Sequence, residues 1–136
     1  QLGDNTTTNR SSPVQIGSSS WTAVAGGIFH TAALRSGGTL FTWGGNYEGQ
    51  LGDGTVVAKS SPVQIGSSSW TVVASGFRHT MAIRSGGTLF TWGDNNNGQL
   101  GDNTTTNRSS PVQIGSSSWT AVSSGEYHTA ALLKFT

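Results

Sequence analysis

The chain repeats its own text every 49 residues, and a fixed period of that length constrains the fold more than any single motif. Gln1, Gln50 and Gln99 open the same phrase, and Trp21, Trp70 and Trp119, then His30, His79 and His128, keep the spacing without slippage. Residues 1–49 and 50–98 agree at 35 positions and differ at 14, and a third copy runs for 38 residues from Gln99 to Thr136. The expected organisation is one repeat domain over 1–136, with units 1–49, 50–98 and an incomplete 99–136. In such arrays each unit buries its apolar face only against a neighbour.

Within one unit the apolar and β-branched residues form four short runs: Pro13 to Ile16, Trp21 to Ala25, His30 to Leu34 and Thr39 to Trp43. Gly or Ser clusters bound each run, as expected of strands. Leu40 falls on one alternating face with Phe41 and Trp43 on the other, which predicts strands buried between stacked sheets. Composition agrees, because Ser, Thr, Gly and Asn supply 66 of 136 residues. That dense supply of turn formers and β-tolerant Thr predicts an all-β chain of short strands. Four strands per unit of this length is the pattern of a propeller blade. The stretch from Gly44 to Ser61 is long for a connection, and Asn46, Gly49, Gly52, Asp53 and Gly54 predict that it folds into successive tight turns.

The string HTAALRSGGTLFTWGGNYEGQLGDGT, from His30 to Thr55, resembles the repeat of the RCC1 (regulator of chromosome condensation) family. The likeness extends over essentially the whole chain, and its pattern of G-x-x-H-T-x-A, a Gly-rich turn and W-G-x-N-x-x-G-Q-L-G-D is specific. It implies RCC1-like β-propeller blades, each a four-stranded antiparallel sheet, with about 2.75 blades here. It does not fix a function, since that scaffold serves guanine-nucleotide exchange, ultraviolet sensing, enzyme inhibition and general protein binding.

Two to three blades leave an apolar face and unpaired strand edges open, so further repeats or further copies are expected to complete the propeller. The first unit begins in phase without an initiating Met. The third reads LLKFT from Leu132 where the first reads LRSGG from Leu34. These features suggest an N-terminus cut from a longer array and a genuine C-terminus near Thr136. The third unit lacks its equivalent of Thr39 to Trp43, so its blade is expected to be narrow unless a neighbour supplies the strand.

Differences among the copies show where the scaffold tolerates change. Ile28-Phe29 becomes Phe77-Arg78 and then Glu126-Tyr127. Gly45, Tyr47 and Glu48 become Asp94, Asn96 and Asn97, while Asn5 with Thr7 to Arg10 becomes Gly54 with Val56 to Lys59. The turns Ser36-Gly37-Gly38 and Gly17 to Ser20 do not change. In an antiparallel meander the connections after the Trp21 and Trp43 strands emerge at one end and the invariant turns at the other. Phe, Tyr and Arg suit protein interfaces. The expected protein-binding residues are therefore Ile28, Phe29, Tyr47, Glu48, Phe77, Arg78, Asp94, Asn96, Asn97, Glu126 and Tyr127. Loosely packed loops also drift, but a polar surface turn such as Ser18 to Ser20 would drift with them.

No catalytic constellation is expected, since there is no Gly-x-Ser-x-Gly elbow, Cys nucleophile, phosphate loop or flanking carboxylate pair. Asp4, Asp53 and Asp102 lie in turns where carboxylates accept local backbone N–H bonds. Metal binding by the three His is not expected, because equivalent positions on adjacent blades lie roughly 10 Å apart. Each His should instead bond a turn within its own blade. The five Trp fit blade packing. The run Gly76 to Thr80 approaches the motif of a light-sensing family member, with Phe77 at its aromatic position. Sequons at Asn5, Asn9, Asn103 and Asn107 matter only on a eukaryotic secretory route.

A net charge of +1 makes no case for nucleic acid, apolar runs of four or five residues make none for membrane insertion, and no cofactor is implied. The expected function is a non-enzymatic protein-recognition or structural scaffold, extracellular, at a cell surface or within a virion assembly. The alternatives are regulation of a small GTPase by nucleotide exchange and inhibition of an enzyme.

Overall fold

The computed structural model describes residues 1–135 and contains ten strands in three antiparallel sheets. The first sheet runs in chain order through β1 (Trp21–Gly26), β2 (His30–Arg35), β3 (Leu40–Gly44) and β4 (Lys59–Gln64). The second repeats it with β5 (Trp70–Ser75), β6 (His79–Arg84), β7 (Leu89–Gly93) and β8 (Arg108–Gln113). The third pairs β9 (Trp119–Ser124) with β10 (Thr129–Leu133) and is narrow, as the missing run requires. No helix occurs among the described residues. The expected C-terminal landmark, Thr136, lies outside them.

The runs at 21–25, 30–34 and 39–43 become strands within a residue of the sequence reading, but the fourth run belongs elsewhere. Residues 13–16 form no strand, and their equivalents in the later units become β4 and β8. β4 pairs with β3, aligning Phe41 with Gln64 and Thr42 with Val63, and β8 pairs with β7 in the same way, so each four-stranded sheet takes its outer strand from the following unit. The unit in sequence and the sheet in space are out of frame. Pro62 and Pro111 fit these outer strands, where a missing N–H faces no further neighbour.

The loop from β3 to β4 forms the expected turns, with Gly49 N–H donating to the Asn46 carbonyl and Gly52 N–H to that of Gly49, both at 3.0 Å. Buried Asn46 organises it: Oδ1 accepts from Leu51 N at 2.9 Å, while Nδ2 reaches the carbonyls of Thr55 at 2.9 Å and Val57 at 3.1 Å.

Sheets stack face to face. Ala32, Leu34 and Leu40 of the first meet Trp70, Ala82, Phe90 and Trp92 of the second, while Met81, Ile83 and Leu89 meet Trp119, Val122 and Ala131 of the third. The opposite faces expected for Leu40 and for Phe41 with Trp43 are therefore observed. Arg35 lies 4.0 Å from the Phe41 ring centroid and 5.2 Å from that of Trp21, and Arg84 repeats this over Phe90 and Trp70.

Candidate functional site

The loop from β1 to β2 is the first component. Gly27 N–H donates to the His30 carbonyl at 2.9 Å, and a Cβ on Gly27 would overlap the His30 ring and stand 2.7 Å from the Gly76 carbonyl. Only glycine lets successive loops pack this closely. Ile28 N–H then donates to the Phe77 carbonyl at 2.9 Å, and Phe77 N–H to that of Glu126 at 3.3 Å, which lines up the three variable tips.

The second component is the chain leaving β3 and β7. Gly45 N–H donates to the Phe29 carbonyl at 2.7 Å and Asp94 N–H to that of Arg78 at 2.9 Å, holding the second variable cluster against the first. The invariant turns meet at the other end, where Ser36 N–H donates to the Ser20 carbonyl and Trp70 N–H to that of Gly38. Phe29 and Tyr47 line a cleft of about 530 Å³ with Leu2, Thr8, Asn9 and Lys59, so all three variable clusters contribute to one surface.

Ile28 and Phe29 are partly exposed, and Tyr47 is 80% exposed. Tyr127 is exposed and packs edge to face on half-buried Phe77, with centroids 5.8 Å apart. Arg78 is exposed and crosses between sheets to half-buried Glu48, with Nη1 3.0 Å from Oε1. Asn96, Asn97 and Glu126 are exposed. Asp94 stands apart at 6% exposure, its Oδ1 accepting from Asn96 N at 3.1 Å and Nδ2 at 2.7 Å. Its role is to shape the turn that presents its neighbours. Thr8, Asn9 and Lys59, together with exposed Val56 and Val57, were marked by their variation among copies but not named as binding residues.

The histidines are not bonded within their own sheets. His30 Nε2 lies 2.9 Å from Thr80 Oγ1 and His79 Nε2 lies 3.1 Å from Thr129 Oγ1, each on the following sheet. Thr80 Oγ1 donates its one proton to the Gln50 carbonyl at 2.7 Å, so it must accept from His30 Nε2–H, which fixes the tautomer. Burial, aided by the neighbouring imidazole, lowers the His30 pKa from 6.5 to about 4. Burial does the same for His79, against an opposing pull from the Asp94 carboxylate. Both rings are neutral at pH 7 and serve as ties between sheets. The signal in sequence was the His-Thr pair repeated in every unit.

The turn carboxylates behave as expected. Asp102 Oδ1 accepts from Thr104 N at 3.0 Å, with Arg108 Nε 2.9 Å from Oδ2. Burial would raise its pKa, but hydrogen bonds from Thr104, Arg108 and Asn95 outweigh this and hold it at about 2. Asp4 repeats the arrangement with Thr6 and Arg10. Among the described residues no group of three His, Cys, Asp or Glu is placed to hold a metal ion.

The chain matches the Regulator of chromosome condensation (RCC1) repeat model over residues 37–83 and 86–132, and a second RCC1 repeat model over 21–50 and 70–99. No curated protein matches it. Among solved structures it is similar to human WBSCR16, with TM-score 0.80 and 23% identity over 90% of this chain and 33% of that one. It is also similar to yeast RCC1 (Prp20) bound to Kap60, with TM-score 0.79 and 16% identity over 90% of this chain and 32% of that one. A further Prp20p structure, from Saccharomyces cerevisiae, characterised for binding to Gsp1p and histones, gives TM-score 0.75 and 15% identity over 90% and 33%. At these identities the likeness is one of fold, and the chain spans about a third of each relative's length.

Proposed function

Since the chain belongs to the RCC1 repeat family, we propose that it is a non-enzymatic scaffold that binds a protein partner through the variable loop face. The observation that carries this reading is the convergence of three clusters that differ between copies on one cleft, while the turns at the opposite end are unchanged. Phe29, Tyr47, Phe77 and Tyr127 supply aromatic anchors, and the Glu48–Arg78 pair supplies a charged one. The supporting backbone is rigid, because the loops are bonded to one another and to the next sheet.

The test compares proteins retained by the immobilised chain with those retained by two variants. A partner of the loop face is held by the native chain and by Ser67→Ala, at the opposite end, but released by the double variant Phe29→Ala/Tyr47→Ala. Retention that survives the double variant, or is lost with Ser67→Ala alone, contradicts the reading. Nucleotide exchange is the competing reading, resting on the functions known within the RCC1 repeat family to which the chain belongs. Its check is release of labelled GDP from a panel of small GTPases; acceleration supports it and unchanged release removes it.

A further inference from the structure

Arg10, Lys59, Arg78 and Arg108 each meet a carboxylate, on Asp4, Asp53, Glu48 and Asp102 in turn. Arg84, half-buried at the end of β6, does not. Its guanidinium carbon lies 4.0 Å from the Phe90 ring centroid and 5.0 Å from that of Trp70. Its Nε is buried without a partner, and neither Nη meets an acceptor among the described residues. A half-buried charge without an acceptor is costly. Packing does not demand it, because Leu133 stands opposite Trp119 in the third unit where Arg84 stands opposite Trp70 in the second.

Arg84 lines a groove of about 590 Å³ between the first two sheets, with Lys59, Val63 and Ile65 on one side and Trp70 and Pro111 on the other. Every residue along it lies between Gly52 and Pro111, so both walls belong to complete four-stranded sheets, whatever precedes or follows the chain. Backbone bonds fix its outline: Gly54 N–H donates to the Ser109 carbonyl at 2.8 Å and Ile65 N–H to that of Leu40 at 2.9 Å. Asp53, 3.8 Å from Lys59, answers that charge, so Arg84 is the groove's one unanswered charge among the described residues. With Nε buried and the rings beneath, the side chain offers the groove its two Nη groups.

We propose that this groove binds a small monocarboxylate, whose two oxygens accept from the Nη groups of Arg84 while its apolar body rests against Val63, Ile65 and Pro111. The planar fork of a guanidinium matches the two oxygens of a carboxylate. A single negative charge balances Arg84, whereas a doubly charged anion such as phosphate also meets the repulsion of Asp53. The groove has the size of small-molecule sites. Because the aromatic rings already hold the guanidinium in place, it loses little rotamer freedom on binding. The site is separate from the loop face proposed for a protein partner and stands or falls independently of it.

NMR titration of the isotope-labelled chain with benzoate tests this, with benzamide as a probe of shape without charge and inorganic phosphate as one of charge without an apolar body. Benzoate should shift the Trp70 indole N–H and the amides of Val63, Ile65 and Ser110, saturating at about millimolar concentration. Benzamide and phosphate should bind at least about tenfold more weakly. Arg84→Leu, which copies the third unit's Leu133, should fold and lose the response. Arg84→Lys keeps the charge without the fork and should weaken binding about tenfold. Dispersed amide spectra check that both variants fold. Absence of a saturable shift, shifts confined to the loop face, binding undiminished in Arg84→Leu or Arg84→Lys, or phosphate or benzamide binding as tightly as benzoate would each overturn the proposal.

Discussion

His30 and His79 are single residues with consequences for the whole stack, because each spans two sheets through one Thr hydroxyl. Replacing Thr80 by Val keeps the shape but strands the His30 N–H and a Gln50 lone pair; denaturant unfolding should show a loss of about 2 kcal/mol, restored by Ser. Both His pKa values fall from 6.5 to about 4 on folding, so between those pH values the unfolded chain binds more protons. Stability is therefore complete above about pH 6.5 and declines with acid down to about pH 4. Thermal melts across this range should show that slope, and it should flatten in His30→Gln, which retains a donor but does not titrate. A second decline, below the ordinary carboxylate value of 3.8 and down to about 2, belongs to Asp102. The His-Thr repetition was visible in sequence, but its partner lies 50 residues away, one past the period, and only the stacking of sheets brings the two together.

Adjacent glycines separate two kinds of constraint at the scale of the element. A Cβ on Gly27 would collide with His30 and the Gly76 carbonyl, whereas one on Gly26, at the end of β1, meets nothing within 4 Å. Gly27→Ala should therefore lower the melting temperature, while Gly26→Ala should leave it unchanged or raise it through about 0.4–1 kcal/mol of lost unfolded-state entropy. Asn46 is the corresponding anchor of the long loop. Asn46→Ala frees the Leu51 N–H and releases residues 55–57, and should cost about 2–3 kcal/mol and open the loop to limited proteolysis. Three strands per unit were legible because Gly and Ser clusters bound them and both faces of the third are apolar. The allegiance of the fourth was not, since a Pro-Val-Gln-Ile run can pair with the strand before it or after it. The long loop, folded by Asn46, returns the chain to the earlier sheet.

Across the molecule, the sheets are held in sequence by strands lent from one unit to the last and by buried side chains shared between neighbours. The loop tips are joined mainly through backbone bonds, which do not depend on side-chain identity, and this leaves their side chains free to vary. The variable face was legible from the differences among copies, while the cleft joining its three clusters was not, because Asn9, Phe29, Tyr47 and Lys59 are distant in sequence. The lending of strands is the claim on which the architecture rests, and NMR of the isotope-labelled chain tests it most directly. Cross-strand contacts should link Thr42 with Val63 and Thr91 with Val112, and the Ile65 amide, bonded to the Leu40 carbonyl, should exchange slowly while that of Ile16 exchanges fast. Contacts that instead joined residues 62–65 to Trp70–Ser75 of their own unit, with Ile16 and Ile65 equally protected, would contradict it.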